Sequence, residues 1–163
     1  GPQCAGNKCS DTSNTINIRK SAVIIMASSS AQLTVTSGSS RLISVNSPLP
    51  LTGVSPIINE GTTRPFTLTY MDTADQILAA GTTVSIASDV GELSGNTNLT
   101  VANSLGRATP LSSLISTMNF TLKNTNDPNE PDDETLSGFV TVTVTSPSGV
   151  ITESQFSVIL EGN

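Results

Sequence analysis

Phe139–Leu160, FVTVTVTSPSGVITESQFSVIL, decides the fold. Val140, Val142 and Val144 alternate with threonines, and Phe156, Val158 and Leu160 repeat the alternation sixteen residues later. A period of two places one set of side chains on each face of an extended chain, so each half reads as a strand with one buried face. Pro147-Ser148-Gly149 lies between them and supplies the turn of a hairpin. The same pattern recurs upstream. Phe66, Leu68 and Tyr70 alternate with Thr67 and Thr69, Val84 and Ile86 alternate in TTVSIAS, and Met118, Phe120 and Leu122 alternate in STMNFTLK. Gln32–Thr36 and Arg41–Asn46 show it in shorter form, and Ile16–Ala27 reads as a further extended strand. Asp89-Val90-Gly91, Gly95-Asn96 and Asp127-Pro128 mark turns.

Composition agrees with strands throughout. Ser and Thr make up roughly three residues in ten, aromatic residues are 3% of 163, and the strong helix formers are scarce, so the core must come from Val, Ile and Leu. Seven or more short strands without a helical segment give an all-β fold, an immunoglobulin-like antiparallel β-sandwich with an N-terminal strand-rich extension. Ser47-Pro48-Leu49-Pro50 interrupts any ladder. It is taken as the boundary between residues 1–49, an extension or the tail of a preceding module, and residues 50–163, the sandwich. Gly1-Pro2 has the look of a remnant of tag removal, and a targeting segment or upstream domain is expected before it.

The run from Pro65 to Gly95, PFTLTYMDTADQILAAGTTVSIASDVGELSG, resembles the centre of the bacterial immunoglobulin-like domains of intimin- and invasin-type adhesins. Gly81, Thr82, Val84, Ile86, Ser88, Gly91 and Leu93 stand where that pattern places them, and the closing hairpin is similar to the family's last one. The resemblance covers roughly residues 50–163. It implies a spacer or adhesive contact module of a bacterial surface or periplasmic protein, with tandem neighbouring domains and no catalytic residues.

Charge and chemistry narrow the function from another side. A net charge of −6 with scattered Lys and Arg repels nucleic acid and offers nothing to an anionic membrane. No stretch approaches the ~20 apolar residues that span a bilayer; the longest apolar run is Ala22–Ala27. The chain has no His, which removes Ser-His-Asp and Cys-His hydrolase arrangements. A Ser-Lys dyad would have to use Lys8, Lys20 or Lys123, and Tyr70 is the one tyrosine on which a sugar could stack. Asn98-Leu99-Thr100 and Asn119-Phe120-Thr121 match the N-glycosylation pattern, which arises readily in a chain this rich in Asn and Thr. No enzyme is expected.

Two clusters remain. Cys4 and Cys9 are expected to form a local disulfide, which suits an oxidising compartment, with two free thiols as the alternative. NTNDPNEPDDET offers Asn126, Asp127, Asn129, Glu130, Asp132, Asp133 and Glu134 as hard oxygen ligands for Ca²⁺, although the alternating order of an EF-hand is missing. A solvated acidic loop with no cofactor is the plainer expectation. Two rivals to the surface module stay open: a fimbrial, phage-tail or filament subunit assembled by strand addition, for which the apolar segment 21–27 would serve, and a carbohydrate- or calcium-binding accessory domain of a secreted enzyme.

Overall fold

A computed structural model of the chain describes residues 30–102, 116–131 and 133–162. Ten strands and no helix are found among them. In chain order they are β1 (Ala31–Ser37), β2 (Ser40–Val45), β3 (Ile57–Ile58), β4 (Thr63–Asp72), β5 (Thr83–Ser88), β6 (Glu92–Gly95), β7 (Asn98–Thr100), β8 (Ser116–Lys123), β9 (Leu136–Thr145) and β10 (Ile151–Leu160). One five-stranded sheet has the order β3-β10-β9-β5-β7, the other β2-β1-β4-β8-β6.

The period-two runs become the central strands. β9 pairs antiparallel with β10 from Leu136↔Leu160 to Thr145↔Ile151, and on its other side with β5, Val142 opposite Ile86. β4 pairs with β1 and β8, setting Leu68 between Val35 and Met118. Inward residues of both sheets merge into a single buried cluster that includes Leu33, Val35, Phe66, Leu68, Val84, Phe120, Leu122, Val140, Val142, Phe156 and Val158. Three rings join the layers. Phe66 stacks on Phe120, its cross-strand partner, with centroids 5.2 Å apart, and meets Phe156 of the opposite sheet at 5.3 Å. Each such ring or branched aliphatic taken out of water contributes roughly 1.5–3 kcal/mol, so this shared layer dominates stability. Polar residues, many of them threonine, hold the outward positions, as alternation requires.

Two features differ from the sequence expectation. β3 runs parallel to β10, Ile57 opposite Ile159 and Ile58 opposite Leu160, in a fold expected to be antiparallel throughout. No hairpin links the two strands. The chain instead reaches this edge from the other sheet through residues 51–56, which sets its direction. The second difference concerns residues 31–45, placed by sequence in an extension. β1 and β2 belong to the same sheet as β4, and Ala31, Leu33, Val35 and Ile43 are in the shared core. Ser47–Pro50 is a connection over that core; Arg41 holds it, its carbonyl accepting from the amides of Thr52 and Gly53 and its Nε donating to Pro50 O.

Gly91 turns the chain from one sheet to the other between β5 and β6. Its φ is +69°, and a Cβ there would lie 2.6 Å from the Lys123 carbonyl oxygen, so the crossing accepts glycine alone without displacing β8.

Candidate functional site

Four carboxylates from three parts of the chain meet at one end of the two layers. Glu60 sits in the turn between β3 and β4, Asp127 and Asp133 in the loop between β8 and β9, and Glu161 just after β10. Glu60 is held above the ordinary carboxylate range, first by burial and then by the charges of Asp133, Glu161 and Asp127. Its Oε1 is enclosed with no hydrogen-bond partner among the described residues, although the side chain as a whole is half-buried.

Asparagines tie this end together. Asn124 is fully buried; its Nδ2 donates to Ile58 O at 2.8 Å and Glu161 O at 2.9 Å, while its Oδ1 accepts from Asn126 N at 3.0 Å. One side chain thereby joins the β3 edge, the chain end and the acidic loop. Asn126 Nδ2 donates to Glu134 O and Glu161 O, and Asp127 Oδ1 accepts from the amide and the side chain of Asn129. These are the local side-chain-to-backbone bonds by which Asn and Asp build turns.

The expected ligand set is therefore divided. Asp127, Asn126 and Asn129 are engaged in holding the loop, Glu130 points to solvent, Asp133 lies toward Glu60, and Asp132 falls outside the described residues, as do Cys4 and Cys9. Among the described residues no group of three or more His, Cys, Asp or Glu is arranged to hold a metal ion. Sequence reasoning missed Glu60 and Glu161. Each is a lone acid next to a strand, with no local pattern to connect it with residues 127–133.

The other candidates separate by burial. Tyr70 is a core residue at 4% exposure, its hydroxyl pushed up by burial and partly offset by a hydrogen bond with Ser116; it is no sugar platform. Phe139 is the exposed aromatic instead, opposite Ser157 on the outer face, where a shallow groove is lined by Ala87, Ser88, Asp89, Thr141 and Gln155. The period of two that buries Val140 turns Phe139 outward, so the signal was present in the sequence. Lys123 ends β8 with Thr63 and Glu92 as its cross-strand neighbours. Asn119 Oδ1 accepts from Thr67 Oγ1 on the outer face of the second sheet.

The remaining surface feature is an edge. β10 is paired along its whole length with β9, but on its other side only Ile159 and Leu160 have a strand beside them among the described residues. A groove lined by Leu42, Gly53, Val54, Ser55, Phe156 and Ser157 opens there, in the seam between the two sheets.

No family model matches the chain, and no curated protein matches it. Among solved structures it is similar to a conjugative transposon lipoprotein from Bacteroides eggerthii, with a TM-score of 0.41 and 12% identity over 78% of this chain and 96% of that one. At that distance the likeness assigns no function to this chain.

Proposed function

We propose that the chain is a non-catalytic, immunoglobulin-like module of a bacterial cell-surface or periplasmic protein, acting as a spacer or contact domain. The distribution of strands supports the reading. β4, β8 and β6 are neighbours in one sheet while β5, β9 and β10 are neighbours in the other, the partition that strands B, E, D and C, F, G have in immunoglobulin-like sandwiches. The sequence resemblance at 65–95 falls on β4 to β6, where the chain changes sheets. The chemistry is in keeping with it. The sequence has no His, which removes Ser-His-Asp and Cys-His arrangements for group transfer.

Antibodies against the chain test the location on producing cells. Labelling of intact cells, or labelling only after the outer membrane is permeabilised, is the expected result; labelling that needs lysis of the inner membrane would contradict it. The assembly-subunit reading has one observation in its favour: among the described residues only Ile159 and Leu160 of β10 have a strand beside them on the side away from β9, and an unpaired edge is what strand addition uses.

A further inference from the structure

Residues 31–161 begin and end at opposite ends of the sandwich. Ala31 starts β1 opposite Asp72, the last residue of β4, and lies beside Thr152 at the start of β10. Glu161 follows β10 and meets Ile58, Asn124 and Asn126 at the acidic end. β10 runs from the first of these ends to the second, about 30 Å for its ten residues. Tension applied across residues 31–161 therefore acts along the strands. Direction decides how a ladder yields. The bonds between antiparallel strands lie across the strand axis, so a load along that axis strains all the bonds of a ladder together, whereas a load across it opens them one at a time. β1 is held between β4 and β2, and β10 between β9 along all ten residues and the short parallel β3. Both strands that receive the load are thus held in shear.

The two residues at which the load arrives carry side-chain bonds in addition to their ladders. Ala31 N donates to Thr152 Oγ1 at 3.0 Å, which ties the start of β1 to the other sheet, and Ala31 O accepts from Asn46 Nδ2 at 2.9 Å. Asn46 stands just past β2 with a φ of +53°, a left-handed conformation that asparagine tolerates better than most residues. At the other end Glu161 N donates to Ile58 O at 3.0 Å, and Glu161 O accepts from Asn124 Nδ2 at 2.9 Å and Asn126 Nδ2 at 3.1 Å. Gly162 N donates to Thr135 Oγ1 at 3.0 Å. This end is thereby fastened to β3, to the residues after β8 and to the approach to β9.

We propose that the sandwich is a load-bearing link, in which tension along the long axis is taken up in shear by β1 and β10 and by side-chain clamps at Ala31 and Glu161. The proposal deepens the spacer reading and rests on it for its use in the cell. Its test does not, because strength under load is a property of the isolated chain.

Single-molecule pulling on the full chain tests it, with Cys4 and Cys9 replaced by serine so that thiol handles attach only where they are placed. Pulled by its two ends, the chain should extend residues 31–161 in one step, at a force at least about twofold above that needed with handles at Glu134→Cys and the C-terminal end. The second pair of handles sits at one end of the sandwich and peels β10 from β9 pair by pair, starting at Leu136↔Leu160. Asn46→Gly with Thr152→Val removes both side-chain bonds to Ala31 while glycine keeps the positive φ. That double variant should lower the end-to-end force and leave the peeling force unchanged. Should it fail to fold, the two pulling directions on the parent decide. Equal forces in the two directions, or stepwise unravelling of residues 31–161, would overturn the proposal, and so would a variant that weakens both directions alike or neither. Such a failure leaves the surface location to the antibody labelling.

Discussion

Replacing Phe66 by alanine tests whether the two sheets close on each other through the ring triad. Phe66 is 2% exposed, stacked on Phe120 within its own sheet and in contact with Phe156 across the core. Truncation removes the transfer free energy of the ring and leaves a cavity between two sheets that are each fixed by their own ladders and cannot collapse into it. The expected cost is about 3–5 kcal/mol. For a domain of this size each kcal/mol lowers Tm by roughly 2–4 °C, so a fall on the order of 10–15 °C is expected. Phe139→Ala is the control. That ring is nearly half exposed, and its loss should cost about 1 kcal/mol or less. Thermal and urea unfolding of the parent, Phe66→Ala, Phe156→Ala and the double variant measure both the cost and the coupling. The pair should couple by about 0.5–1.5 kcal/mol across the sheets. A Phe66→Ala shift within about 3 °C, or one matched by Phe139→Ala, would refute a core shared by the two layers.

Asn124→Ala takes one of two donors from each of the Ile58 and Glu161 carbonyls and the acceptor from Asn126 N, and should cost about 1–3 kcal/mol in urea unfolding, against less than about 1 for the exposed Asn129→Ala. Glu60 is harder to ionise in the folded chain than in the unfolded one, so its contribution to stability is fully present below the unfolded-state carboxylate range and is lost as pH rises through its raised value. Glu60→Gln should therefore melt above the parent at neutral and alkaline pH, with the gap closing on acidification; a gap independent of pH would contradict this. Millimolar Ca²⁺ added after EDTA should leave Tm unchanged, because Asn126, Asp127 and Asn129 are engaged in loop bonds; a rise of several degrees with binding heat in calorimetry would make residues 126–134 a metal site.

Where side-chain alternation runs for five residues or more, the strands were legible. β1, β4, β8, β9 and β10 follow from Leu33, Phe66, Met118, Val140 and Phe156 and their next-but-one neighbours, since a period of two with one buried face has no other regular explanation. β3, β6 and β7 are too short to show a period; Ile57–Ile58 becomes a strand only because residues 51–56 deliver it to the edge of β10. The break at Ser47–Pro50 was legible, but its meaning was not. Prolines end a ladder whether the chain leaves the core or only crosses it, and long-range pairing of β1 with β4 decides between those outcomes. The acidic end shows the same limit. Residues 126–134 announce themselves as a run, whereas Glu60 and Glu161, which tertiary structure brings to Asp127 and Asp133 of that run, come from two other places in the chain.

Size-exclusion chromatography with light scattering on the oxidised full chain, across a wide range of concentration, tests the central claim most directly. A self-contained sandwich acting as a spacer or contact module should give the monomer mass of 16.8 kDa throughout. A mass that climbs with concentration would show an edge satisfied by other copies, and would replace the spacer with an assembly subunit.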